Sequence, residues 1–308
     1  MIAARALDPD KPALDRAAFS DADFQVIARL AQHDFGLNLQ VSKRDLVYSR
    51  LHKRLRVLNL PRFSDYCALL QGPDGADERM HMLSALTTNV TQFFREDHHF
   101  KMLREEILPG LLQTAKDGGR VRLWSAGCSA GQEAYSLALT VLGLMPDAQR
   151  LNLRILATDV DPEILIKAEA GIYPNDELKA IPDALRSKYT IAAQPGTFAI
   201  GDAPRSLITF GQINLIDTWP IKGPFDAIFC RNVAIYFDKS TQSRLWARFA
   251  DLLTPDGHLF IGHSERLNGP AEQMFHGAGV TAYQRNGSTP DRSGFAAPHP
   301  NSSEGTGP

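Results

Sequence analysis

The run Val121 to Ser136, VRLWSAGCSAGQEAYS, constrains the fold more than any other stretch of this chain. An apolar segment gives way to small residues with two glycines, and these lead into an amphipathic helix. That order reads as strand, tight turn and helix start, with backbone N–H groups left at the turn to meet a ligand. A second strand-like run, Leu153 to Thr158, ends in Asp159. An acid at the tip of the second strand is where nucleotide-binding α/β folds hold a ribose diol. The glycines do not spell GxGxxG, so the arrangement that hugs a pyrophosphate is missing. S-adenosylmethionine, which carries a ribose and an adenine but no phosphate, is therefore favoured over a dinucleotide.

A chain of 308 residues has room for one large domain and a small one. With 44% hydrophobic residues, 22% charged residues and a net charge of −2, it reads as an ordinary globular protein. No charge excess points to nucleic acid or a membrane surface, and neither is expected as a partner. Cys67, Cys128 and Cys230 are far apart, with neither CxxC nor zinc spacing, and read as reduced, buried apolar residues. No apolar run approaches the roughly 18 residues of a membrane span, and the charged start is no signal peptide. The expected location is the cytoplasm, without membrane insertion.

Residues 19–88 read as a small all-α domain. Phe24, Ile27, Leu30 and Ala31 recur at helical spacing behind Ser20 and Asp21, which can cap. A second helix is expected from Lys43 to Leu58, with Leu46, Val47, Leu51, Leu55 and Leu58 facing a core. Further helices are expected over Phe63 to Leu70 and Asp77 to Leu86. Residues 89–119 form a linker and a first helix. From Arg120 strands alternate with helices, which argues for a doubly wound sheet over residues 120–285. Its strands are expected at Val121 to Ala126, Leu153 to Thr158, Ser206 to Ile213, Phe225 to Cys230, His258 to Gly262 and Val280 to Gln284. Its helices are expected at Gly131 to Leu144, Pro162 to Ala170 and Thr241 to Leu253. Residues 171–205 are too long and too broken by proline and glycine for a simple connection. They are expected to form a short helix and then a small β subdomain built on the edge of the sheet. Residues 1–18 are expected to be flexible, and 286–308, rich in Asn, Gly, Ser and Pro, a disordered tail.

Five motifs stand in order along the chain. They are Asn89-Val90-Thr91-Gln92-Phe93-Phe94-Arg95-Glu96 with His98, His99 and Phe100; Ser125 to Gly131 with Glu133, Tyr135 and Ser136; Ala157-Thr158-Asp159; Phe225 to Asn232 with Ile235-Tyr236-Phe237; and Gly262-His263-Ser264-Glu265. Together they closely resemble the CheR family, the chemotaxis-receptor glutamate methyltransferases, over Phe19 to Gln284. The resemblance implies a Rossmann-like class I methyltransferase sheet with a small N-terminal helical domain and an inserted β subdomain. It implies an enzyme that transfers a methyl group from S-adenosylmethionine to glutamate side chains of chemoreceptors, leaving S-adenosylhomocysteine.

Residue by residue, the resemblance implies that Asn89, Thr91 and Arg95 reach the cofactor from the linker and that Gly127 lies in the glycine turn. It implies that Glu133 lies near the methionine end, that Asp159 holds the ribose, and that Asn214 and Leu215 flank the adenine. Arg231 and Asn232 line the pocket, and Arg95 and Tyr236 stand at the transferred methyl. One departure is Gly131-Gln132-Glu133-Ala134-Tyr135-Ser136, where the family usually has Gly-Glu-Glu-Pro-Tyr-Ser. The second acid is kept, and alanine tolerates the helix start that proline would preset.

Arg50, Lys53, Arg54 and Arg56 are the candidate substrate-binding residues. The first three stand at i, i+3 and i+4, which puts their charges in one patch suited to an acidic partner. In the family the corresponding helix meets glutamate-rich receptor helices, and in some members the β subdomain takes up a receptor C-terminal peptide. His98 and His99 are adjacent, so they do not face one point on a helix and are not read as metal ligands. Two other readings stay open on the sequence alone. One is a methyltransferase of the same fold acting on another protein, a small molecule or nucleic acid; the other is a non-catalytic cofactor-sensing module.

Overall fold

The computed structural model describes residues 19–287. Its N-terminal domain packs α1 (Asp21–Phe35), α2 (Arg44–Val57), α3 (Phe63–Gln71) and α4 (Gly75–Leu86) around one core. A capping box starts α1: the Ser20 hydroxyl accepts from Asp23 N at 3.1 Å, and Asp23 accepts from Ser20 N at 2.9 Å. Val47, Leu51 and Leu55 of α2 are buried with Phe24, Ile27 and Ala31 of α1, as their spacing predicts. Leu46 is not: it stands 43% exposed, because its position turns away from the stripe that Val47, Leu51 and Leu55 define.

The linker leads into one continuous helical run, α5 (Asp97–Met102), a wide π turn (Leu103–Ile107) and α6 (Leu108–Lys116). Pro109 explains the wide turn, since it has no N–H for the carbonyl four residues before it.

The second domain is built on β1 (Val121–Ala126), α7 (Gln132–Leu144), β2 (Leu153–Asp159) and α8 (Pro162–Ala170). It continues, beyond an insert, with β6 (Ile208–Gln212), β7 (Phe225–Cys230), α11 (Lys239–Leu252), β8 (Leu253–Ile261), α12 (Ala271–Met274), β9 (Phe275–Gly279) and β10 (Ala282–Arg285). The seven-stranded sheet runs in the order β6-β2-β1-β7-β8-β10-β9. β6, β2, β1, β7 and β8 are parallel, while β10 is antiparallel to both of its neighbours. The chain departs from β1 in both directions, to β2 on one side and later to β7 on the other. This switch opens a crevice beyond the C-terminal ends of these strands, where open α/β sheets bind ligands.

The insert differs from expectation in order and place. It opens with a strand, β3 (Ile172–Pro174), followed by a 3₁₀ turn (Asn175–Ala180), α9 (Asp183–Tyr189), β4 (Thr190–Ala192), β5 (Thr197–Ile200) and α10 (Asp202–Ser206). Its three strands make a separate antiparallel sheet, β3-β5-β4, and do not extend the main one. The physical reason is aromatic packing. Tyr173 of β3 meets Phe93 of the linker and Tyr135 of α7 at ring distances of 5.0 and 6.2 Å, and its hydroxyl donates to Ala130 O at 2.6 Å. The insert thus buttresses the glycine turn. The expected flexible start, and the expected tail apart from Asn286 and Gly287, lie outside the described residues. Among the described residues no helix is long and apolar enough to cross a membrane.

Candidate active site

The crevice holds a cavity of about 520 Å³, within the range of small-molecule sites. Its floor is the turn after β1. Gly127 N and Cys128 N both donate to Thr158 O, at 2.7 and 2.8 Å, which ties the turn to β2. Gly127 has φ +87°, and a Cβ there would stand 2.3 Å from Val233 Cγ2, so the turn admits no side chain at this position.

Asp159 closes one end. Its Oδ2 accepts from Ser129 N at 2.8 Å and its Oδ1 from Asp161 N at 3.1 Å. Burial pushes its carboxyl above the ordinary range, and the bonds from Asp161 N and Ser129 N oppose that shift. Ile213, Asn214 and Leu215, after β6, form the adjoining wall. The Asn214 amide is engaged elsewhere, donating to Asp34 O of α1 at 2.8 Å and to Asp217 at 2.9 Å.

The other end is charged. Glu133, in the first turn of α7, accepts from Ser125 Oγ and from Arg231 Nε, both at 2.7 Å. Arg231 follows β7, its side chain is 3% exposed, and its NH1 donates to Arg95 O at 2.6 Å. The Arg95 side chain reaches into the cavity wall and donates to Val90 O at 3.1 Å.

Tyr236 sits at the seam between the domains. Its carbonyl accepts from Asn38 N at 2.8 Å, and its hydroxyl accepts from Thr88 N at 3.3 Å. It lines the cavity and does not fill space beneath the sheet.

Every residue read from the sequence as cofactor-binding borders this one cavity: Asn89, Thr91, Arg95, Gly127, Glu133, Asp159, Asn214, Leu215, Arg231 and Asn232. The basic residues of α2 do not, and two of the four serve the helical domain itself. Arg54 makes a two-point pair with buried Glu78, at 3.0 and 2.5 Å, and Tyr66 donates to the same carboxylate at 2.8 Å. The hydrogen bond from Arg54 to Glu78 raises the Arg54 pKa. Arg50 donates to Leu86 O and to Thr88 Oγ1, both at 2.5 Å. Lys53 and Arg56 remain exposed, so the expected single patch is smaller than the sequence spacing implies.

Two groups of residues at or beside the site lie outside those read from the sequence as cofactor-binding or catalytic, although Glu265 belongs to the last of the five motifs. Phe35, Leu37 and Leu83 of the helical domain wall the cavity, and their spacing announces burial but not against what. Glu265 is buried and accepts from Gly262 N, Asn232 N and Ile235 N at 2.5, 3.1 and 3.2 Å. Burial pushes its carboxyl upward, against the pull of those N–H groups. This side chain helps fasten the loop that carries Asn232 and Tyr236, together with Gln242, whose amide donates to Ala234 O and Phe237 O at 2.7 and 3.1 Å.

Residues 89–284 match the family model described as CheR methyltransferase, SAM binding domain, and residues 22–87 match the CheR methyltransferase all-alpha domain. The chain belongs to the CheR methyltransferase family. The CheR boundary falls at residue 88, where the helical domain hands over to the linker. The chain is 51% identical over 254 residues to a probable chemotaxis protein methyltransferase of Rhizobium etli, covering 82% of this chain and 95% of that protein. It is 40% identical to the chemotaxis protein methyltransferases of Salmonella typhimurium and Escherichia coli, over 275 and 273 residues. Each of those matches covers 87% of this chain, and they cover 91% and 92% of the relatives. This CheR chain is therefore an S-adenosylmethionine-dependent enzyme of chemotaxis, a protein-glutamate O-methyltransferase that acts on chemoreceptors.

Proposed function

We propose that this cavity would hold S-adenosylmethionine, with Asp159 at the ribose, Glu133 near the methionine end, and Arg95 and Tyr236 as the orienting groups beside the transferred methyl. Asp159 keeps lone pairs for the ribose diol beyond the two backbone N–H groups it accepts. Leu215 and Ile213 flank the adenine together with the Asn214 backbone. Glu133 and Arg231 frame the charged methionine end. When bound, the cofactor supplies a sulfonium methyl that a carboxylate oxygen can take.

A glutamate side chain with a pKa of about 4.3 is already ionised at neutral pH, so this chain needs no general base. Its task is to align the carboxylate and exclude water, and holding such a geometry is worth roughly 7–11 kcal/mol. Arg95 carries this reading. It stands in the cavity wall with one hydrogen bond, to Val90 O, and its planar fork suits a carboxylate. Tyr236 is the second orienting group, with its hydroxyl set by Thr88 N.

The acidic receptor helix docks on the outer face of α2, at Lys53 and Arg56. A receptor C-terminal peptide adds as a strand beside β4, which pairs with β5 on one side only. The site of action is the cytoplasm, where the receptor helices lie.

The test supplies methyl-labelled cofactor and a receptor cytoplasmic fragment to wild type, R95A and Y236F. Wild type should place base-labile label on the fragment, as a methyl ester requires. R95A should turn over on the order of 100-fold more slowly, and Y236F should lose turnover more than cofactor affinity. Cofactor binding without any base-labile label would overturn the reading, and full activity in R95A would remove Arg95 from it.

A further inference from the structure

His99 lies outside the cavity lining but touches the group that holds Arg95. Its ring is fully buried, with Nε2 2.9 Å from Val280 O and 3.1 Å from Thr281 Oγ1. A carbonyl only accepts, so Nε2 carries the proton; Nδ1 is then an acceptor in the neutral ring. Arg231 NH1, which only donates, stands 3.1 Å from that Nδ1. The same NH1 donates to Arg95 O. The backbone it grips is bent against its preference: Phe94 and Glu96, on either side of Arg95, have φ +53° and +56°. Non-glycine residues hold the left-handed region only where surrounding bonds impose it. Phe94 N donates to Ser136 Oγ at 2.9 Å, and the Glu96 carboxylate lies 3.7 Å from Arg231.

We infer that His99 is a positioning residue: as a neutral acceptor it fixes the Arg231 guanidinium, which in turn sets the backbone that aims Arg95. The inference rests on the proposed role of Arg95. Arg231 is also anchored by Glu133 at its Nε, by the Glu96 carboxylate 3.7 Å from its NH1, and by the rings of Phe100 and Phe229, 5.3 and 6.0 Å from its guanidinium carbon. At the NH1 end His99 is the neutral side-chain acceptor, 3.1 Å away, beside the Arg95 carbonyl and the more distant Glu96 carboxylate. The charged and titratable groups facing the His99 ring are Arg231, Glu96 and His98, and the Phe260 ring packs against it at 5.2 Å. Burial and the Arg231 charge both keep it neutral, with its pKa lowered to about 4.

Two variants separate the ring's two nitrogens. H99N offers an amide oxygen near the Nδ1 position, and H99Q offers an amide N–H near the Nε2 position, so only the first keeps an acceptor for Arg231. Turnover on a receptor fragment and cofactor affinity are measured for each, and for H99Q combined with R95A. H99Q should lower kcat on the order of 10–100-fold with cofactor Kd within a few-fold, as expected for a slight misplacement of an orienting group. H99N should stay within a few-fold of wild type, and H99Q should cost nothing further on the R95A background. Equal loss in H99N and H99Q, an unchanged H99Q, additive loss with R95A, or failure of either variant to fold would overturn the inference. R95A without activity beside a fully active H99Q leaves the Arg95 reading standing and removes only this one; a fully active R95A removes both.

Discussion

At Asp159 one carboxylate meets two demands. It must hold the turn after β1, through Ser129 N, and it must keep acceptors for a ribose. Asp159→Ala should weaken cofactor binding by roughly 1.5–3 kcal/mol, the worth of hydrogen bonds to a charged group. Calorimetry on the folded variant checks this, and unchanged affinity would take Asp159 out of the site. His99 gives a different readout. Its pKa falls from 6.5 unfolded to about 4 folded, so between those values the unfolded chain binds more protons. Its contribution to stability is whole above pH 6.5 and is lost as pH falls toward 4. Wild type should lose about 2 kcal/mol more than H99N between pH 7 and 5, since each pH unit in that window is worth about 1.4 kcal/mol. His258, half-buried and also lowered, shifts both proteins alike and cancels in the difference. Parallel stability curves for the two proteins would show that His99 titrates normally. Asp159 was legible because a strand tip announces itself by a break in an apolar run. The roles of His99 and Glu265 were not, although both stand in the motifs, because most of their partners come from far along the chain.

Elements were legible where one physical signal acted alone. The parallel strands β1, β2 and β7 read directly from largely apolar runs, each interrupted by one charge near its start, Arg122, Arg154 or Asp226. β9 went unread because Phe275-His276-Gly277-Ala278-Gly279 has two glycines and no alternation; it is a strand because β10 pairs with it. The insert was misplaced because aromatic contacts with the linker and α7, rather than any local pattern, fix its position. On α2 the helical spacing of the basic residues was right, but spacing could not show that Glu78 and the Leu86 carbonyl claim Arg54 and Arg50. This division is testable. Reversing charge at Lys53 and Arg56 should slow receptor methylation at low salt, and the defect should shrink as salt screens the encounter, with no change in melting temperature. Arg54→Glu should instead destabilise the helical domain by about 3–5 kcal/mol, because it leaves Glu78 buried without its cation. A melting point for R54E equal to wild type would return Arg54 to the docking face, and coincident salt curves for the exposed pair would move receptor recognition away from α2.

The two domains make one cavity. Phe35 and Leu37 come from the end of α1 and the chain just after it, and a short bridge pairs Leu37 with Phe237 beside the Tyr236 loop. Gln32 donates to Asp238 at 2.9 Å and Ser84 to Asp161 at 2.5 Å, so the helical domain is bonded to both ends of the crevice. Gly36 leaves no room at this seam: its φ is +72°, and a Cβ there would stand 2.8 Å from Ile216 and 3.2 Å from Phe237. A β-branched residue fits neither the backbone nor the space. Gly36→Val should therefore loosen the seam, and because Phe35 and Leu37 on either side of it belong to the helical-domain core, that domain should also lose some stability while the α/β core stays folded. Cofactor affinity should fall on the order of tenfold as the Phe35 and Leu37 wall recedes, about 1.4 kcal/mol, and turnover should fall further because Tyr236 loses Asn38. Far-ultraviolet circular dichroism should be unchanged. If calorimetry finds wild-type affinity in G36V, the helical domain is a docking module only, and the cavity belongs to the α/β domain alone.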